Sequence, residues 1–355
     1  MSNPYQGKFY LALGAFVFTL LTLGLRLIGL KLKEGKSSQV TSNIDSWVGP
    51  EDLEIVDIIE ETFDIKTFRL KRQGGKRMPM FKPGQFLSFR IADHKKVYRS
   101  YSISGSCENQ SLIQVSIKIL PDGIGSNWFH SLKVGESVFA HPPGGLFTDD
   151  DQGDGPRVFV AGGIGITPFL SMLLTAVDRG QKYPTTLFYG ARTVKDLAFH
   201  EILLTLAKRN ENFNYYPVLS EDSENKWEGL KGFITYDLIT SKISNPKEQE
   251  FYFCGPPIMT DGISETLIEN GVDKKDIHSE KFVSPTSISE DDLDISDQTI
   301  FLDGEAYEYS GKNNLLEFFE DQNVELPFSC RSGVCGACKV KCVGGSATSL
   351  TDSGL

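Results

Sequence analysis

The 355-residue sequence has few imidazoles and a shortage of positive charge. It holds five histidines, none after His278, so a zinc site that recruits histidine has nothing to draw on near the C-terminus. Lys and Arg number 36 against 47 Asp and Glu, a net charge of −11. A nucleic-acid binder normally carries a basic face, so that class is set aside. An acidic surface suits solubility or docking to a basic partner. No internal repeat is visible, which removes solenoids and propellers. Disulfide scaffolding is missing too: Cys107 and Cys254 stand alone, and the other four cysteines crowd between positions 330 and 342. Such crowding in a long chain points to metal binding in a reducing compartment. Apolar residues make up 40%, enough for real cores, and the length suits two or three domains.

Charge is also absent from Phe9 to Leu25, a run of seventeen residues that continues past Arg26 to Leu30. That length meets the roughly 30 Å of a bilayer's hydrocarbon core, and Arg26 sits where its stem can snorkel. A buried core helix rarely stays apolar on every face for so long. A cleavable signal peptide would need a shorter apolar stretch and a small-x-small site, and none follows Leu30. Arg26, Lys31, Lys33 and Lys36 lie after the run, so the positive-inside bias leaves everything beyond it in the cytoplasm. The expectation is a single-pass membrane anchor over 1–36, with its helix at about 9–30, then a polar linker over 37–50.

From 51 to 150 short β-rich runs alternate with turn residues such as Pro83-Gly84 and Pro143-Gly144, the pattern of a small antiparallel barrel. From 155 to 283 strands alternate with helices: RVFVAGG, ITPFLSMLLTAVDRG, TTLFYGA, KDLAFHEILLTLAKR, YYPVLS, EFYFCGP and PIMTDGISETLIENG. That alternation predicts a parallel, doubly wound α/β sheet. An acidic, Ser-rich linker covers 284–296. The final domain, 297–355, shows two strands, the helix NNLLEFFEDQ and the cysteine cluster.

Five motifs carry chemistry. Cys330, Cys335 and Cys338 form a C-x4-C-x2-C run, the spacing of plant-type 2Fe–2S ligation, whereas zinc knuckles favour C-x2-C pairs in two separated halves. VAGGIGITPF at 160–169 joins a strand to a helix, and its glycines let backbone approach a pyrophosphate; a plain tight turn is the bland alternative. RSYS at 99–102 is an ordinary strand sequence taken alone, and GIGS at 123–126 reads equally as an N-cap or a phosphate site. CGPP at 254–257 ends a strand where open sheets bind ligands, although a lone cysteine is usually an inert, buried thiol.

In their order along the chain the motifs resemble the ferredoxin–NADP reductase superfamily, and more closely the three-part oxygenase and desaturase reductases with a C-terminal plant-type ferredoxin. The resemblance spans nearly everything from Glu51 onward. It implies a multidomain protein: an antiparallel β-barrel flavin domain, an α/β doubly wound nucleotide domain and a partial β-grasp ferredoxin domain behind the N-terminal transmembrane helix. By that resemblance Arg99 contacts the flavin cofactor's phosphate, Tyr101 packs on the isoalloxazine and Ser102 bonds near N5. Ser116 and Lys118 would touch FAD mostly through backbone, and Gly123 and Ser126 would hold its pyrophosphate. Gly162, Gly163, Gly165, Thr167 and Pro168 match the nicotinamide-nucleotide loop. Cys254, Gly255 and Pro256 fall beside the nicotinamide, Phe282 where an aromatic is common, and Arg192 and Lys195 by the adenosine ribose. Ser102, Tyr101 and Cys254 would be the catalytic residues. The implied activity is NAD(P)H oxidation through FAD and a 2Fe–2S cluster, with NADH expected over NADPH.

The implied acceptor is a membrane oxygenase, hydroxylase or desaturase, with lipid met through the N-terminal helix and no nucleic acid. The flavin-and-cluster subunit of a sodium-pumping quinone reductase also has an anchor, but its ferredoxin domain comes first. A cofactor-free docking protein would not need RSYS, GIGS and GGIGITP intact. The ferredoxin domain is expected to be incomplete. Seventeen residues follow Cys338, and Cys342, in the strand-like run CKVKCV, would lie about 13 Å from it at roughly 3.3 Å per residue.

Overall fold

The computed structural model describes residues 49–92, 97–149, 155–222, 226–282, 298–310 and 314–324. Single positions outside these stretches, among them Trp47, Phe328, Arg331 and Cys338, are described as well. The expected anchor at 9–30 lies outside the described residues, as do Cys330 and Cys335. Among the described residues no helix is long and apolar enough to cross a membrane.

The first domain is the expected antiparallel barrel. Strands β1 (Glu51–Glu60), β2 (Ile65–Arg72), β3 (Phe86–Arg90), β4 (Tyr98–Ser102), β5 (Ile113–Lys118) and β6 (Ser137–Ala140) join in the order β4-β3-β6-β1-β2-β5. A bridge between Ile103 and Val115 brings the two ends of that order together. Alternation decides which side faces in: Leu53 and Ile55 of β1 are fully buried, and a bulge after Ile55 shifts the register against β2. The helix Ile124–Ser131 seats Phe129 in the barrel core, 4.9 Å from the Phe89 ring and 5.2 Å from Phe68.

The second domain is a parallel sheet of β7 (Arg157–Gly162), β8 (Thr185–Ala191), β9 (Phe213–Leu219), β10 (Leu230–Lys231), β11 (Glu250–Cys254) and β12 (Ile277–Glu280), ordered β10-β9-β8-β7-β11-β12. Every residue of β7 is buried, as a strand covered on both faces requires. Strand order reverses between β7 and β11, and the carboxyl ends at such a reversal are where open parallel sheets bind ligands. Helices Ile166–Asp178, His200–Arg209, Tyr236–Thr240 and Pro257–Glu269 connect the strands. The helix expected from Lys195 begins instead at His200. Thr193 and Asp196 close a separate turn with a capping box, and Phe199 takes a left-handed φ of 61° that breaks the run. Burial explains the cost accepted there, because Leu197, Ala198 and Phe199 all pack into the core beside the sheet.

Helix Ile166–Asp178 also fastens this domain to the barrel. Ser171 donates to the Gly105 carbonyl at 2.7 Å, the Cys107 amide donates to Thr175 Oγ1 at 3.1 Å, and Arg179 pairs with Glu108 at 2.6 Å. In the C-terminal domain β13 (Gln298–Leu302) and β14 (Glu305–Tyr309) form a hairpin. Its two-residue loop is Asp303-Gly304, both at positive φ, the geometry that an Asp-Gly pair favours. Helix Leu315–Asp321, capped by Asn314, lays Phe318 and Phe319 against Tyr309 and Tyr307.

Candidate active site at the barrel–sheet junction

The crevice between β7 and β11 is built from backbone. A Cβ on Gly165 would lie 2.1 Å from the Cys254 carbonyl oxygen, and one on Gly255 would lie 2.9 Å from the Gly162 nitrogen. A Cβ on Gly162 would meet Pro256 Cδ at 2.6 Å. The GGIG and CGP loops therefore touch main chain to main chain, which only glycine allows. Gly163 differs: its φ is +54° and nothing stands within 4 Å of the missing Cβ. Thr167 is buried and its hydroxyl donates to the Ile164 carbonyl at 3.0 Å, which holds the turn ahead of the thirteen-residue helix. The Ile166 N–H already donates to the Gly163 and Ile164 carbonyls and Pro168 has no N–H, so the open glycine face at Gly163 is what fits a pyrophosphate. Pro168 is buried in the first turn, while Pro256 and Phe282, the latter 50% exposed, stand at the surface.

On the barrel side the contributors are side chains. Tyr101 packs against Phe89 and Phe129, and burial pushes its hydroxyl well above the ordinary range, so it stays neutral. The Arg99 stem and the Tyr101 hydroxyl press on Gly125, where a Cβ would come within 2.6 Å and 2.8 Å of them. Arg99 itself donates to the Tyr98 carbonyl at 2.8 Å. Gly123 is the N-cap residue. The Ser126 hydroxyl donates to the Gly123 carbonyl and accepts from the Leu120 amide, both at 3.1 Å, so it braces the loop. The Ser116 hydroxyl is buried between Thr67 and Ser104, at 2.7 Å from each, and Lys118 pairs with Asp64 at 3.0 Å. Backbone is what these last three positions leave for a ligand. Arg192 is exposed and paired with Asp196 at 3.3 Å. Burial opposes the charge on Asp196, but Thr193 and Arg192 hold its carboxyl below the usual range.

The two halves meet through a residue that motif reading passes over. Ser102, at the end of β4, donates to Glu280 Oε2 at 3.3 Å from the end of β12. Burial pushes the Glu280 carboxyl up to about 8, with the Ser102 bond working against the rise. Cys254 is fully buried, and burial with the neighbouring Glu280 charge raises its thiol far above its ordinary value. A neutral thiol there acts by shape, not as a thiolate nucleophile. The signal for Glu280 was the acidic residue of SEKF, but β12 is only four residues long and lacks the apolar run that marks a strand. Among the described residues no three His, Cys, Asp or Glu side chains are arranged to hold a metal ion, and of the C-x4-C-x2-C run only Cys338 is described.

Comparison with known proteins agrees with this arrangement domain by domain. The oxidoreductase FAD-binding domain family matches residues 52–148, the oxidoreductase NAD-binding domain family 159–265 and the 2Fe-2S iron-sulfur cluster binding domain family 300–354. The chain belongs to the ferredoxin–NADP reductase superfamily. It is a flavin reductase-type oxidoreductase, with FAD, nicotinamide nucleotide and a 2Fe–2S cluster as its cofactors. The glycine betaine monooxygenase reductase subunit of Chromohalobacter salexigens is 28% identical over 332 residues, covering 87% of this chain and 90% of its own. The ferredoxin reductase component of 3-ketosteroid-9-alpha-monooxygenase from Rhodococcus rhodochrous is 29% identical over 299 residues, with 79% and 82% covered. Phthalate dioxygenase reductase shares the fold at a TM-score of 0.60 and 23% identity, over 81% of this chain and 85% of its own.

Proposed function

We propose that this reductase draws electrons from NADH and delivers them to an oxygenase, hydroxylase or desaturase. When bound, the flavin supplies the conversion of one hydride into two single electrons for the cluster, and the nicotinamide proton balance is one H⁺ per turnover. The observation that carries the reading is the Ser102–Glu280 contact, which joins the end of β4 to the end of β12, beside Cys254 of β11. Similarity to reductase components of oxygenases supports the acceptor class.

Each residue has a physical task. Arg99 offers a fixed cation to phosphate, and Tyr101 offers a neutral ring held by Phe89 and Phe129. Gly162, Gly163 and Gly165 with Thr167 and Pro168 shape the nucleotide turn, and Gly255 keeps the CGP loop against it. Cys254 fills space at the crevice floor. Ser102 presents a hydroxyl whose direction Glu280 sets, and below about pH 8 the neutral Glu280 adds no negative charge where a hydride must arrive. NADH is favoured because Arg192 is already neutralised by Asp196, which weakens its pull on an additional phosphate.

Anaerobic rapid mixing of the holoenzyme with each nucleotide tests the reading. Ser102→Ala is expected to slow flavin bleaching by NADH about tenfold or more while FAD content stays unchanged. A wild-type rate in that variant removes Ser102 from the site, and faster bleaching by NADPH reverses the nucleotide assignment. The charge-free run at Phe9–Leu25 further supports an anchor on the acceptor's membrane, with the catalytic domains cytoplasmic. Full-length protein that stays in the supernatant after membranes are pelleted would refute the anchor.

A further inference from the structure

The C-terminal domain reaches the barrel through aromatic rings. The Phe328 ring lies 5.4 Å from Tyr98, edge-on at 81°, and 5.0 Å from His141, while Tyr98 and His141 are themselves 5.3 Å apart. Three rings therefore close a triangle of mutual contacts in the favoured range. Tyr98 opens β4 and His141 follows β6, and each is only 8% exposed. The Arg331 guanidinium also packs over the Phe328 ring, 4.9 Å from its centre. Arg331 in turn grips both carboxylate oxygens of Glu320, the second at 2.7 Å, and Glu320 sits on helix Leu315–Asp321. An unbroken series of contacts thus runs from that helix to the first residue of β4.

Two further facts give the triangle a role. Tyr98 lies on the same face of β4 as Ser102, four residues or about 13 Å along the strand. Phe328 lies two positions before Cys330, the first cysteine of the C-x4-C-x2-C run. His141 Nε2 is buried with no hydrogen-bond partner among the described residues, and burial lowers its pKa, so the imidazole serves as a neutral ring. We propose that Phe328, held between Tyr98 and His141, is the positioning residue that locks the cluster-bearing domain onto the flavin barrel and so sets the rate of flavin-to-cluster electron transfer. The proposal rests on the electron-transfer reading above. Electron transfer needs no bond made or broken at these rings, only a short, constant separation, because its rate falls steeply with distance.

The test uses the full-length holoenzyme, mixed anaerobically with NADH and followed in two phases: flavin bleaching, then cluster reduction. In Phe328→Ala the first phase is expected to be unchanged. The second should slow about tenfold or more, the scale of losing two ring contacts and one cation–π contact. Phe328→Tyr restores the ring and should return the second phase to within about threefold of wild type. Amide hydrogen exchange in helix Leu315–Asp321 and at the start of β4 should rise in Phe328→Ala and not in Phe328→Tyr. If Phe328→Ala loses its cluster, Tyr98→Leu, on the barrel, should show the same selective slowing with iron content intact. A wild-type second phase in Phe328→Ala, or in Tyr98→Leu where that variant is needed, overturns the proposal. Failure of NADH to bleach the wild-type flavin instead overturns the functional reading itself.

Discussion

The nucleotide half and the flavin half of the site are built from different material. In the α/β domain the crevice is main chain packed on main chain, with Gly162, Gly165 and Gly255 leaving no room for a Cβ. In the barrel the working groups are side chains, Arg99, Tyr101 and Ser102, carried on one five-residue strand. The first half excludes; the second half offers. A cofactor held permanently gains from specific side-chain contacts, whereas a substrate nucleotide that must leave after each turnover is served by a rigid, shallow backbone cradle. Substitutions should therefore fail in different ways on the two sides.

The largest effect is expected at Gly165→Ala, because the new methyl meets a backbone carbonyl that cannot rotate away. Overpacking against main chain should destabilise the α/β domain by about 3 kcal/mol or more. Thermal unfolding checks this, and an unchanged melting temperature would show that the two loops separate easily. Gly125→Ala is the matching change in the barrel. Its methyl meets the Arg99 stem and the Tyr101 hydroxyl, which are side-chain atoms, so the fold should survive with about 1–2 kcal/mol lost. FAD retention after gel filtration should fall, and full retention would mean that Arg99 and Tyr101 have slack. The smallest change is Glu280→Gln, the point where the two halves touch. The Glu280 carboxyl is raised from its ordinary 4.5 to about 8, so the fold bears no cost for it below about pH 4.5, and the cost grows as pH climbs from there to about 8, above which it is complete. A carboxylate there also opposes hydride delivery, so the wild-type rate of flavin reduction should fall above about pH 8. Glu280→Gln should flatten that limb of the profile, and an unaltered pH dependence would assign the titration elsewhere.

Local pattern carried the layered architecture a long way. The barrel strands, the βα alternation and the final hairpin with its helix are legible because burial alternates with the period of each element. Where the reading slipped, packing had overruled pattern. KDLAFHEILLTLAKR looks like one helix, yet the side chains of Leu197, Ala198 and Phe199 are worth more inside the core than as helix, so the chain breaks at Phe199. Strands β10 and β12 were missed because edge strands of two and four residues carry too little periodicity to register. Among the site residues, RSYS and GGIGITP are legible as motifs, but the hydroxyls of Ser116 and Ser126 turn out to be spent on neighbours inside the protein.

Motif order and spacing were enough to determine the class of chemistry: a flavin strand, then a nucleotide turn, then a C-x4-C-x2-C run. Cofactor binding depends on short contiguous segments, and contiguity is what a sequence displays. Tertiary structure alone decided that Glu280 meets Ser102 across 178 positions and that Phe328 settles between Tyr98 and His141. Those contacts join residues from separate domains. They follow from how finished domain surfaces pack together, which no local periodicity encodes.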